Sequence, residues 1–519
     1  MPSVSNYCMS RHVQTYELED GNFAVWNSLF PSVTIVNSET LDTLERLPST
    51  SDDLSSDDKD SLVSKRLIFE GSADHDPYER EFFATADAAL AETDQAAREF
   101  YSQKKSFLSL YLVNSGCNLG CGYCVSYAGD AHRTDAARMA DRGDDRRDRV
   151  LDVVDQYVRR RAELNEPANF AFNGGEILLR WPMIKDALQY TRDRYPHVPV
   201  HAEMNTNATL ITDEIAQDLN RFGVKIHVSV DGYKKNHDNT RVYHGGSASF
   251  DRVIAGIQTY NRHNPTRALD GVQGTIEDVE GFDASEFAKT SQFGFKASRL
   301  EPNLLAARPE KGVKAAQWEA QLVLDTQDGP VMLVNTHFNK LCRLLGKAPT
   351  GFSYNCNGLS GARARILTLN IDSMQLSLMC SFVSPTAVPL SATGNDIYHP
   401  VIWEAARNYI VQRIEMLRQD CSGCDVLGAC QGACVLNGLD LANKTNPASC
   451  SYQRASWRHA IDYSHSGRVR ALDEQEVQRA CRTKGGTLGG QSTQGCSVGP
   501  GEVGVTSVPG RTVLPLVAS

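Results

Sequence analysis

Three cysteines fall within eight residues of one another, directly after an apolar run: Asn114-Ser-Gly-Cys117-Asn-Leu-Gly-Cys121-Gly-Tyr-Cys124. The C-x3-C-x2-C spacing puts three thiolates on one short loop at the end of a strand-like segment, Leu108–Asn114. Three thiolates can ligate three irons of a 4Fe–4S cubane and leave the fourth open, whereas structural clusters use four. The competing readings are a zinc knuckle, a structural iron–sulfur site and coincidence. Zinc wants four closed ligands, and the nearest further Cys or His here is His132. Gly116, Gly120 and Gly122 would let the backbone wrap tightly around a cluster.

The other cysteines are as unevenly placed. The chain of 519 residues carries 14, and eight of them lie between 342 and 450: Cys342, Cys356, Cys380, Cys421, Cys424, Cys430, Cys434 and Cys450. An even spread would give that stretch about three. Eight thiolates can hold two complete 4Fe–4S clusters; zinc fits the spacing poorly. No secretory leader or membrane-length apolar run is visible, so a cytoplasmic protein is expected, with metal ligation favoured over disulfides. Cys8, Cys481 and Cys496 lack ligand-like spacing and read as incidental thiols. A formal charge of −10 with no basic block argues against nucleic-acid binding.

From residue 107 strands and helices alternate. Strands are expected at Leu108–Asn114, Asn169–Asn173, Val200–Asn205, Lys225–Val230, Leu269–Thr275 and Ala297–Leu300. Amphipathic helices are expected at 146–164, 183–195, 213–221, 250–262 and 283–292. Six βα units predict a parallel sheet with covering helices, curved or partly closed as a barrel, with the chemistry at the carboxyl ends of the strands. Ahead of this, His12–Glu19 and Phe23–Asn27 flank an Asp20-Gly21 turn, Val33–Val36 forms a third strand, and a helix capped by Ser38 carries Leu41 and Leu44. Residues 49–60 read as a solvated loop before a short helix at 62–67. These elements make a small winged-helix-like α+β module or an extension packed on the main domain. Residues 336–465 show little regular pattern, as in a small domain organised by metal. The tail from about 483 reads as loose. The expected divisions are 1–100, 104–335, 336–465 and 466–519.

Polar groups gather at the expected strand ends. The second strand ends Asn173-Gly174-Gly175-Glu176, the third Asn205-Thr206-Asn207, and the fourth Ser229-Val230-Asp231-Gly232, followed by His237-Asp238 and Arg241. Glu176 can pair with an ammonium, Arg241 can fork a carboxylate, and Ser229 adds a hydroxyl. Together they answer a zwitterionic amino acid moiety. His237-Asp238 is expected to shape its loop. Glu277 and Asp278, after the fifth strand, are candidate substrate contacts at the cavity mouth.

Over about residues 105–305 the chain resembles the radical S-adenosylmethionine (SAM) superfamily. The resemblance implies a partial (β/α)6 TIM-like barrel, with Cys117, Cys121 and Cys124 as cluster ligands. It implies that Tyr123 contacts adenine, that Gly174, Gly175 and Glu176 receive the SAM amino group, and that Ser229 and Arg241 also bind SAM, beside the polar tip at Asn205. Ile177 stands where Pro commonly follows the Gly-Gly-Glu. Residues 336–465 resemble the SPASM domain, a C-terminal extension with two auxiliary clusters. By that resemblance Cys342, Cys356, Cys380 and Cys434 would hold the first and Cys421, Cys424, Cys430 and Cys450 the second, making three 4Fe–4S clusters with SAM as cofactor.

The layout is similar to that of sulfatase-maturating enzymes, which place an Asp base after the cysteine corresponding to Cys380. Here Ser381 stands there, a poor proton acceptor near pH 7. SPASM enzymes that mature ribosomally made peptides often carry a leader-binding winged-helix-like element. The resemblance therefore implies a peptide maturase installing a thioether or carbon–carbon cross-link, with a peptide or protein substrate and an electron donor such as flavodoxin or ferredoxin. The alternatives are a protein maturase of the sulfatase- or quinoprotein-maturating kind and a non-catalytic iron–sulfur electron carrier.

Overall fold

A computed structural model describes residues 6–124, 144–267, 269, 271–283, 297–304, 309–326, 332–333, 341–342, 344–345, 352, 366–378, 386–432 and 446–468. Cys356, Cys380, Ser381, Cys434, Cys481, Cys496 and the helix expected at 283–292 lie outside these residues.

The N-terminal strands are β1 (Tyr7–Met9), β2 (Val13–Glu17), β3 (Phe23–Asn27), β4 (Phe30–Val36) and β5 (Ile68–Glu70). β2, β3 and β4 form an antiparallel sheet in that order, and β1 pairs with β5. The cap of helix Ser38–Glu45 is Asn37, one residue earlier than expected; its side chain accepts from Thr40 N at 2.8 Å. The stretch expected as a solvated loop over 49–60 is partly helical. Helix Ser56–Ser64 starts there because Ser55 Oγ accepts from Asp58 N at 3.1 Å and donates to the Asp58 carboxylate at 2.6 Å. Asp57 and Asp58 in its first turn also suit the positive end of the helix dipole.

The main sheet has ten strands among the described residues. Its parallel core is β6 (Ser109–Asn114), β7 (Ala168–Gly174), β8 (Val200–Thr206), β9 (Val224–Ser229), β10 (Gly271–Ile276) and β11 (Ala297–Pro302), each beside the next. These are the six expected strands, in sequence order, as right-handed βα crossovers lay them down. All six residues of β6 are buried, so its Leu110, Tyr111, Leu112 and Val113 face packed layers on both sides. Helix Asp213–Phe222 covers the sheet with Ala216, Leu219 and Phe222. Thr212 caps its start, and Gly223 at φ +73° closes its end. Phe172 and Tyr157 are wholly buried, each contributing about 1.5–3 kcal/mol of transfer free energy.

The sheet continues past the six strands on both sides. β12 (Met332–Leu333) adds beside β11, while β13 (Ile366–Asn370), β14 (Gln375–Ser377) and β15 (Val388–Pro389) add beside β6. β13 runs parallel to β6, from Ile366 opposite Ser109 to Asn370 opposite Val113. The fold is an open α/β sheet, mostly parallel, of the partial-barrel kind.

The region beyond 336 is more regular than its sequence implied. It holds helices Val401–Asp420 and Pro447–His465. The first buries Ile402, Trp403, Ala406, Ile410, Ile414 and Leu417, a stripe at helical spacing. It docks on an unexpected 25-residue helix, Tyr78–Ser102. Asp94 of that helix accepts from Trp403 Nε1 and from Arg407 Nε, both at 2.8 Å. No helix among the described residues is long and apolar enough to cross a membrane.

Candidate active site

The loop after β6 is pinned from two sides. Gly175 N donates to Asn114 O at 3.0 Å and Glu176 N to Gly116 O at 2.8 Å. On the other side Gly120 N donates to Val242 O at 2.7 Å, and Leu119 bridges Tyr243. Cys117, Cys121 and Cys124 are therefore held between the ends of β7 and β9. Burial pushes the Cys117 thiol up to about 12 and the Cys121 thiol up to about 11, so a bound metal must supply the drive to deprotonate them.

The two glycines after β7 answer the chain itself. Gly174 sits at φ +125°, and a Cβ there would lie 2.6 Å from Asn114 N; at Gly175 it would strike the Gly116 carbonyl. Only glycine lets the two strand ends come this close.

The Glu176 carboxylate is fully buried. One oxygen accepts from Thr206 Oγ1 at 2.7 Å and Leu178 N at 3.0 Å, the other from Asn207 N at 2.7 Å. Burial raises its pKa, against the pull of those donors. It fixes the tip after β8, which in turn reaches the cysteine loop. Asn207 Nδ2 donates to Asn118 Oδ1 at 2.9 Å and lies 3.9 Å from Cys117 Sγ.

A second knot sits at the end of β9. Asp231, 1% exposed, accepts from Tyr123 OH, from Thr240 Oγ1 at 2.9 Å and from Thr275 N at 2.9 Å. Arg241 Nε lies 2.9 Å from Asp231 Oδ1 but off the N–H axis, so that N–H is buried with no hydrogen-bond acceptor. The Arg241 guanidinium covers the Tyr123 ring at 5.6 Å.

The structure thus brings two groups to the cysteine loop, Tyr123 with Arg241 on one side and Glu176 with Asn207 on the other. Glu176 and Arg241 follow β7 and β9, which are not neighbours, because β8 lies between them. Asn205 and Ser229 stand half-buried near the ends of β8 and β9. His237 shapes its loop as expected: Asp231 N donates to its Nδ1 at 3.3 Å, and Ser249 Oγ lies 3.0 Å from Nε2. Glu277 is taken up by Asn303 and by Lys311 Nζ at 2.5 Å, and Asp278 holds a turn by accepting from Gly281 N at 3.1 Å. Sequence reasoning missed Asp231 and Asn207 as site residues. Their signal was the strand-end position, already used for their neighbours.

Residues 111–280 match the Radical SAM superfamily. This segment is a radical SAM domain. Domains of this family use SAM and a 4Fe–4S cluster. The residues here fit both. Among the described residues no three His, Cys, Asp or Glu side chains close around a point as for a single metal ion. A cubane needs its three thiolates set wider, on one loop. Arg241, a buried cation beside the cysteine loop whose Nε finds no well-aligned acceptor, suits an anionic group. A serine-type anaerobic sulfatase-maturating enzyme of Bacteroides thetaiotaomicron is 22% identical over 402 residues, 72% of this chain and 93% of that one. An uncharacterised protein of Methanocaldococcus jannaschii is 28% identical over 152 residues, 29% of this chain and 48% of its own length. The radical SAM cyclopropyl synthase TigE of Paramaledivibacter caminithermalis is 22% identical over 166 residues, 31% of this chain and 34% of its own.

Far along the sequence a second thiol group assembles. Burial, with the nearby Cys424 and Cys450 adding to it, pushes the Cys421 thiol up to about 11 and the Cys430 thiol up to about 12, and Cys424 likewise raises Cys450. Cys342 is buried in a cluster that also holds Leu341, Val426 and Trp457, and Cys424 and Cys430 pack against that cluster. The N-terminal sheet grips this region. Trp26 Nε1 donates to Asp425 O at 3.0 Å, Tyr16 OH to Asp462 at 3.0 Å, and the Trp26 and Trp457 rings meet edge-on at 6.4 Å.

Proposed function

We propose that this chain is a peptide-modifying radical SAM maturase, with Cys117, Cys121 and Cys124 as ligands of its SAM-cleaving cluster. The observation that carries the reading is the placement of those three thiols on one pinned loop at the carboxyl end of the first strand of a radical SAM domain. Bound there, the reduced cluster supplies cleavage of SAM to methionine and a 5′-deoxyadenosyl radical that takes a hydrogen atom from the substrate. The protein's part is to hold and orient. Arg241, Asn205 and Ser229 would bind the SAM carboxylate and ribose side, Tyr123 the adenine, and the backbone of Gly174, Gly175 and Glu176 the amino group. Because the Glu176 side chain is engaged within the chain, its contribution is to fix the Asn207 tip and the backbone around it.

In the same reading Cys421, Cys424, Cys430 and Cys450 hold one auxiliary cluster and Cys342, Cys356, Cys380 and Cys434 the other, within a SPASM domain over 336–465. They accept an electron or bind substrate, and a flavodoxin or ferredoxin supplies the reductant. The radical SAM core spans 104–335 and residues 466–519 form a tail. The N-terminal module, 1–100, receives a leader peptide by strand addition, and β2 is an edge of its sheet. The location is cytoplasmic, without nucleic-acid or membrane partners. Glu277 and Asp278 are weaker choices as substrate contacts, since both are engaged in the chain.

One observation favours a second reading. The sulfatase-maturating relative aligns along 72% of this chain, past the radical SAM domain. A protein partner with a single modified side chain then replaces the ribosomal peptide. The test of the shared chemistry is anaerobic: reconstituted protein, SAM and dithionite, with 5′-deoxyadenosine measured by chromatography. Product that disappears in Cys121→Ala supports the reading. No product from protein with full iron content would overturn it in favour of an electron carrier.

A further inference from the structure

Arg454 lies one helical turn after Cys450 on helix Pro447–His465, so the two share a face. Its Nε donates to Asp425 Oδ1 at 2.5 Å, and its Nη2 reaches Cys424 Sγ at 3.7 Å. Asp425 is itself fixed, since Trp26 holds its carbonyl. The other charges nearby are Arg458, 3.8 Å from Asp425, and Arg413 and Asp420 toward Cys421. Hydrogen bonds to cluster sulfurs and nearby positive charge favour the reduced, more negative state of an iron–sulfur cluster.

We propose that Arg454 is a positioning residue that raises the reduction potential of the auxiliary cluster at Cys421, Cys424, Cys430 and Cys450. Asp425 aims the guanidinium, and the guanidinium donates to the Cys424 sulfur. The inference rests on the reading of those four cysteines as cluster ligands.

The test is potentiometry followed by electron paramagnetic resonance on the reconstituted full chain. In Arg454→Gln one auxiliary midpoint should fall by a roughly tenfold change in its one-electron equilibrium, about 59 mV. The other midpoints stay and serve as internal references. Arg458→Gln, which removes a more distant, half-exposed charge and leaves the Cys424 contact intact, should move the affected midpoint much less than Arg454→Gln does. Should the Gln variant hold less iron than wild type, Arg454→Lys decides. A point charge cannot serve Asp425 and Cys424 together, so the same midpoint should fall by less. Unmoved midpoints in the iron-replete variant overturn the role of Arg454 alone. Wild-type protein that takes up the iron of a single cluster overturns the auxiliary reading, and this inference with it.

Discussion

The backbone N–H of Gly428 donates to the carbonyl of Ser28 at 2.7 Å, fastening the N-terminal sheet to the turn between Cys424 and Cys430. A Cβ on Gly428 would collide with the Leu29 carbonyl and reach 2.8 Å from Pro31 Cδ. Gly428→Ala should therefore cost about 1–3 kcal/mol or more through backbone displacement. Iron content per chain should fall while 5′-deoxyadenosine formation persists. Iron unchanged from wild type would show that the sheet and the cysteine turn move independently.

Among the described residues Asp231 is the carboxylate that lies against Arg241, and it also holds Tyr123. Asp231→Asn leaves the Arg241 charge buried and uncompensated, at a cost of roughly 3–5 kcal/mol. A lower Tm and weaker SAM binding by equilibrium dialysis are expected. A variant matching wild type in both would mean that Arg241 is neutralised elsewhere.

Two glycines beside the first cysteine loop should differ sharply. Gly174→Ala faces both a φ of +125° and the Asn114 backbone, so soluble yield and iron content should drop. At Gly122 a Cβ would meet nothing within 4 Å among the described residues, and Gly122→Ala should bind iron as wild type does. Equal loss in both would point to a cluster crowding Gly122.

Burial lowers the His237 pKa from the usual 6.5 to about 4, with the Arg241 charge adding to the effect. Between those values the unfolded chain binds a proton that the folded chain declines, so stability falls as pH drops from about 6.5 to 4. The share is about 3 kcal/mol. Urea unfolding at pH 7 and at pH 4.5 should show a smaller acid loss in His237→Gln than in wild type. Equal losses would assign the acid sensitivity to the carboxylates.

Of the six core strands, β6 and β7 were legible as apolar runs, being buried along nearly their whole length, and β8 and β9 as alternations of buried and half-buried residues; β6 through β11 all lie within a few residues of expectation. The cysteine loop was legible because its spacing is local. Helix Tyr78–Ser102 was not, since alanines at 84, 86, 88, 89 and 91 blur its apolar stripe. Helix Ser56–Ser64 hid behind Ser and Asp residues whose caps show only in three dimensions. Asp231 stood at a strand end with no partner in view; its partners arrive from Tyr123, Thr240, Arg241 and Thr275. Contacts such as Ser28 with Gly428 join residues 400 apart, and no local pattern encodes them.

β13 pairs with β6 although about 250 residues separate them, so on the ribosome the first core strand waits on the order of 10–50 s for its second neighbour at usual elongation rates. Through that interval its outer edge offers unpaired backbone groups along a wholly buried strand, a template for wrong pairing. Production of intact protein should thus respond to how fast the stretch up to residue 370 is translated and to chaperone supply, while the same change after residue 370 leaves the yield untouched.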